Sequence, residues 1–321
     1  MPLMKALASF LLLASAAIAA EVPAPRVEKL DSALDALVAS DAKIEKVGTG
    51  YGWAEGPVWF KDRFVFSDVP NNTAYAWKRG DASPAVFLKP SGTDAPSDLQ
   101  GSNGLAVDGK GNLLLCQHGA RRVGQSVGEG KFKPLAVEYD GKKFNSPNDL
   151  VVAADGSVYF TDPPYGLPKG QKAEQGFHGV YKLATDGKVS LVTKEVQWPN
   201  GIALSLDQKT LYLAVSDNAK TRITACGLDG SGLRDVFVAQ PLKKSDRPGG
   251  CDGMKVDERG NLWTTGPGGV LIVSPEGKHL GSILFHQPTA NLAWGEDGKT
   301  LFVTSNHDVF VLRTLVKGQG F

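Results

Sequence analysis

Short apolar runs alternate with Asp, Gly and Asn along most of this chain. In "NDLVVAADGSVYFTD", from Asn148, a polar head precedes an apolar run, an Asp-Gly turn and a second apolar run. The same pattern occurs in "EGPVWFKDRFVFSD" from Glu55, "NGLAVDGKGNLLLCQ" from Asn103 and "NGIALSLDQKTLYLAVSD" from Asn200. It returns in "DGMKVDERGNLWTTG" from Asp252 and "NLAWGEDGKTLFVTS" from Asn291, with successive heads 39 to 52 residues apart. The runs are too short for helices. Their Val, Leu, Ile, Phe and Tyr content, bounded by residue pairs that tolerate positive φ, predicts six β-hairpins.

A unit of roughly 45 residues leaves room for two further strands, as in "GVYKLATDGKVSLVTKEV" from Gly179. Four strands make a blade, and six blades packed radially predict an all-β fold, a six-bladed β-propeller around a central channel, over residues 49–316. A parallel β-helix would need a shorter and stricter period. A doubly wound α/β fold would need long amphipathic helices between strands, and the pattern has none.

Two segments precede the repeats. Residues 1–20, "MPLMKALASFLLLASAAIAA", carry an early lysine, an apolar stretch and an Ala-x-Ala ending, which predicts a cleaved signal peptide and an exported, periplasmic or secreted protein. The apolar stretch is short for a membrane span, so no membrane association is expected after cleavage. In the segment 21–48, Leu30, Leu34, Leu37 and Val38 at helical spacing predict a short amphipathic helix outside the blades.

Composition narrows the partner. The 321 residues include 35 Lys plus Arg against 34 Asp plus Glu, which gives no basic footprint for nucleic acid or an anionic membrane. A small neutral or anionic molecule suits this balance better, and nothing in the pattern specifies an oligomer. Cys116, Cys226 and Cys251 allow at most one disulfide, in any of three pairings, and no Cys-x-x-Cys suggests a zinc site.

In a propeller the innermost strand of every blade starts at the same mouth of the channel, so the six heads should converge. Glu55, Asn103, Asn148, Asn200, Asp252 and Asn291 all carry side-chain oxygens, and none is Lys or Arg. Such a ring suits a hard divalent cation, calcium first, over zinc, which prefers histidine or thiolate. Asn-Gly and Asp-Gly also form turns, so each head alone reads as a cap. Convergence, and the presence of Glu55, a poor turn residue, favour ligands.

The strings "WAEGPVW", "SPNDLVV", "WPNGIALS" and "CDGMKVDERGNLW" resemble the motifs of the senescence marker protein/gluconolactonase (regucalcin-like) family over roughly positions 50–310. "CQHGARR" with "TDPPYGL" is similar to its bacterial gluconolactonase branch. The resemblance implies a divalent metal held by Glu55, Asn200 and Asp252, with Asn148 beside it as ligand or substrate contact; zinc, magnesium and manganese are the alternatives to calcium. Animal members carry an arginine two residues before that Asn, where this chain has Ser146, so substrate contacts are expected from Asn103, His118, Arg121 or Arg122.

This reading implies hydrolysis of a sugar lactone such as gluconolactone to the aldonic acid, with Asp252 as first choice for the base that activates water and Asp149 as second. No Gly-x-Ser-x-Gly elbow supports a serine lactonase. Two other readings remain open: an organophosphate or aryl ester hydrolase on the same site, and a non-enzymatic scaffold that binds proteins at its rim.

Overall fold

In the computed structural model, which describes residues 23–94 and 98–321, the expected propeller is present with six blades. The signal-peptide stretch lies outside the described residues. Numbered by chain order, the blades have as innermost strands Ala54–Phe60, Ser102–Val107, Leu150–Val152, Pro199–Leu204, Met254–Val256 and Thr289–Gly295. Within each blade neighbouring strands pair antiparallel, inner to outer, because each is joined to the next by a short turn. The turns use the residues that the sequence offers: Gly156, Gly187, Gly230 and Gly260 all have positive φ.

Burial follows position in the blade. Second strands such as Leu113–Gln117 and Val158–Asp162 are buried throughout, whereas the outer strand Arg234–Val238 faces solvent along most of its length. Among the described residues the apolar side chains form six clusters, and each fills the gap between two adjacent blades. Phe302 of blade six, for example, stacks on Phe64 of blade one with ring centroids 4.3 Å apart and planes 11° apart. Each large side chain buried in this way stabilises the fold by roughly 1.5–3 kcal/mol. The three cysteines are free and buried, each in a different cluster, so no disulfide forms among the described residues.

The segment expected to be a helix outside the blades differs. Arg26–Lys29 is a strand that adds a fifth member to blade five, pairing with His279–Leu284. Only Ser32–Ala36 is helical, as a 3-10 turn capped by Asp31, and Leu34, Leu37 and Val38 bury against blades five and six. Ile44–Thr49 is the outermost strand of blade six, pairing with Asp308–Arg313. The propeller therefore begins before residue 49. Helical spacing of four apolar residues is outweighed here by two open sheet edges that offer the backbone hydrogen-bond partners.

Candidate active site

Four innermost strands carry a register irregularity at their heads, between Glu55 and Val58, Ser102 and Leu105, Pro199 and Ile202, and Thr289 and Asn291. A bulge re-aims side chains, and here it turns the head residues toward the axis. Hydroxyls of neighbouring blades then fix the head backbone. Ser67 Oγ donates to the Asn103 carbonyl at 2.9 Å, and Thr161 Oγ1 to the Asn200 carbonyl at 2.6 Å.

The glycine after a head has a different role from the turn chemistry suggested by its sequence. A Cβ on Gly56 would lie 2.0 Å from the Asn103 carbonyl oxygen, and one on Gly201 would lie 2.2 Å from that of Asp252. Adjacent blades meet backbone to backbone at these points, so a side chain there would push the heads off the axis.

Five of the six heads, Glu55, Asn103, Asn148, Asn200 and Asp252, line one cavity of about 340 Å³. Their side chains form a connected chain. Asn103 Nδ2 donates to Asn148 Oδ1 at 2.8 Å, Asn148 Nδ2 to Asn200 Oδ1 at 2.5 Å, and Asn200 Nδ2 to Ser216 Oγ at 2.9 Å. The Asp252 carboxyl meets both Asn200 and Glu55. The sixth head, Asn291, does not line the cavity; its Nδ2 lies 3.1 Å from Glu55 Oε2 and 3.3 Å from Asp149 Oδ2. Asp149 is likewise withdrawn from the cavity and accepts the backbone N–H of Leu150.

Three carboxyl groups thus sit together away from bulk water. Burial, and after it the charge of Asp149, raises Glu55 above the usual carboxylate range; burial, Glu55 and Asp149 raise Asp252. Lys255 opposes these shifts at Glu55 and Asp149. Its sequence position, three residues after Asp252 and on the inner strand that follows it, gave no sign of that.

His118 lines the cavity as expected. Its Nε2 lies 3.3 Å from Asn103 Nδ2 and its Nδ1 3.1 Å from Gln100 Oε1, and burial lowers its pKa to about 4, so the ring is neutral at pH 7. Arg121 and Arg122 are corrected: neither reaches the cavity. Arg121 Nε donates to the Phe144 carbonyl at 2.7 Å and Nη1 to Gln171 and Glu174, which clasps the long loop after Asp162. Arg122 is tied to Gln117 and Asp94. Two long, flexible cations in one string could have pointed either way, and the carbonyl and carboxylate partners decided it.

Ser146, at the position of the missing arginine, is a loop anchor. Its Oγ donates to the Pro163 carbonyl at 2.7 Å and accepts from Gly166 N at 2.9 Å. That loop brings Tyr165 to the cavity wall, where Trp53, Val69, Pro70, Gln100 and Ser216 also stand. None of these six was singled out from the sequence. Trp53 was within reach, because it begins the "WAEGPVW" string. A larger cavity, about 560 Å³, opens at the opposite end of the channel among aliphatic side chains, Trp59, Trp294 and Phe321, and holds none of the heads.

Comparison with known proteins identifies relatives along nearly the whole chain. The chain is 37% identical over 316 residues to a gluconolactonase of Zymomonas mobilis, covering 91% of this chain and 87% of that one. It is 26% identical to a pentonolactonase of Haloferax volcanii, over 81% and 83% of the two chains. A gluconolactonase structure from Xanthomonas campestris superposes with a TM-score of 0.80 at 30% identity, over 92% of this chain and 98% of that one. Residues 53–307 match the SMP-30/Gluconolactonase/LRE-like region, and these residues span every inner strand and every head. The chain belongs to the SMP-30/gluconolactonase/LRE-like family.

Proposed function

We propose that the protein hydrolyses a sugar lactone of the gluconolactone type to the free aldonic acid, at the cavity ringed by the strand heads. The observation that carries this reading is the convergence of five oxygen-bearing heads on one cavity of about 340 Å³, with no Lys or Arg among its lining residues. That volume is at the low end of ligand pockets, roughly 300–1,000 Å³, and suits a single sugar ring. The named lactonase relatives support the same reaction class.

The donor set fits a hard cation. Glu55 and Asp252 face each other with raised proton affinity, the amides of Asn148 and Asn200 stand beside them, and nitrogen or sulfur donors are absent apart from His118. A divalent cation, calcium by this donor chemistry, would be held by Glu55, Asn148, Asn200 and Asp252, and when bound supplies Lewis-acid polarisation of the lactone carbonyl.

The chain's own groups carry the remaining steps. Asn103 and neutral His118 hydrogen-bond the lactone oxygens and fix the ring in the cavity. An Asp252 Oδ takes a proton as water adds to the lactone carbonyl carbon, then returns it to the ring oxygen as the carbon–oxygen bond of the ring breaks. Asp252 is preferred over Asp149 as base because it lines the cavity and Asp149 does not. Asn291 holds Glu55 from behind and joins it to Asp149 through its Nδ2.

Proton release on δ-gluconolactone tests the reading. Hydrolysis above the buffer rate should disappear with a chelator and return when calcium, zinc, magnesium or manganese is added singly. If the folded, metal-replete protein is no faster than buffer, sugar lactones are the wrong substrate. Export is inferred from residues 1–20, and N-terminal sequencing of the mature protein should find it starting at Ala20 or Glu21.

A further inference from the structure

From the cavity wall an aromatic pair extends that the reaction as described does not use. Tyr165 and Trp198 are each 39% exposed, and their rings stack with centroids 5.9 Å apart and planes 17° apart. Tyr165 belongs to the cavity wall, whereas Trp198 lies beyond it, so the shelf runs continuously from the site outward. Trp198 also has φ of 55°, in the left-handed region that bulky side chains rarely adopt. Such a conformation persists only where the surrounding contacts over-determine it.

The surroundings hold it firmly. Trp198 N donates to His178 Nδ1 at 3.1 Å, the His178 ring lies 4.5 Å from the Trp198 ring, and the Trp198 carbonyl accepts from Ser216 N at 3.1 Å and from the Tyr165 hydroxyl at 3.4 Å. Trp198 is also two residues before Asn200, a distance of at most about 7 Å along the chain. The shelf therefore has a set offset from the ring of heads. Its edge is polar, because the Tyr165 hydroxyl lies beside Ser216 and close enough to Asp217 to feel its charge.

A flat aromatic face edged by hydrogen-bond acceptors matches a sugar ring, which presents a C–H face and a rim of hydroxyls. We propose that Tyr165 and Trp198 receive the second ring of a disaccharide aldonolactone while its lactone ring occupies the cavity. This substrate class rests on the lactonase reading above. A cavity with room for one ring leaves any further ring outside, and the shelf is what lies there.

The test compares cellobiono-1,5-lactone with δ-gluconolactone on the calcium-loaded protein. The ratio of kcat/KM, two-ring over one-ring, should be about tenfold in favour of the larger lactone, the value expected of one aromatic stacking contact. Trp198→Gly, which relieves the backbone while deleting the ring, should abolish that preference, and Trp198→Phe should keep most of it. Calorimetry supplies a readout without turnover: cellobionate should bind about tenfold more tightly than gluconate to the unaltered protein, and equally to Trp198→Gly.

A ratio near one, a ratio that Trp198→Gly leaves unchanged, or a larger gain for an alkyl-substituted lactone overturns the shelf while lactone hydrolysis stands. If neither sugar lactone is turned over, the lactonase reading fails and takes the shelf with it.

Discussion

The carboxyl groups of Glu55 and Asp252 line the same cavity, although one comes from blade one and the other from blade five, and burial raises the proton affinity of both. Two acids meet in this way only where something offsets their charge or one keeps a proton. Glu55→Gln keeps the shape and one acceptor but removes the charge. Turnover of δ-gluconolactone should fall on the order of 10²- to 10³-fold or more while the melting temperature holds or rises. Retention of more than a tenth of the activity would exclude Glu55 from the machinery.

His118 makes a pH prediction with a definite sign. Its pKa falls from 6.5 to about 4 on folding, because burial disfavours the imidazolium. Between those values the unfolded chain binds the extra proton, so this contribution is fully present above pH 6.5 and is lost as the pH drops toward 4. The loss amounts to roughly 3 kcal/mol at most. The buried carboxyls with raised proton affinity contribute with the opposite sign, so the slope is read as the difference between the unaltered protein and His118→Gln in urea titrations from pH 7 to 4: the advantage of the unaltered protein at pH 7 should shrink as the pH falls, and a constant difference would exclude the His118 contribution.

Gly201→Ala should damage both fold and site. The added methyl would overlap the Asp252 carbonyl, at 2.2 Å, and backbone on both sides has nowhere to yield. A loss of about 1–3 kcal/mol in urea is expected, with a drop in kcat from the displaced Asp252. An unchanged midpoint would mean that the blades can slide apart at their heads.

Removal of residues 1–49 should open the ring. It strips the outermost strand from blade six, leaves Asp308–Arg313 as a bare edge and removes Leu34, Leu37 and Val38 from the core between blades five and six. Circular dichroism on heating should show no cooperative transition for the truncated chain. A melt within a few degrees of the full chain would mean that the closing strand is dispensable.

What was legible in the sequence was local. A hairpin's two strands and its turn lie within some fifteen residues, so alternation of apolar and polar positions with Asp-Gly pairs specifies them without knowledge of the rest. Repetition then specified the blade count, and with it the convergence of Glu55, Asn103, Asn148, Asn200 and Asp252. Only the tertiary structure could decide what depends on partners far away in the chain. Ile44–Thr49 became a strand because an edge some 260 residues later was open to it, against a helical spacing nearby. Arg121 turned from the cavity because the Phe144 carbonyl and the Gln171 and Glu174 side chains were within its reach. Asn291 fell behind the other heads, and Tyr165 entered the site on a loop whose course no periodicity describes. Local periodicity encodes elements, whereas long side chains and loops take their places from whichever hydrogen-bond partners the closed ring sets before them.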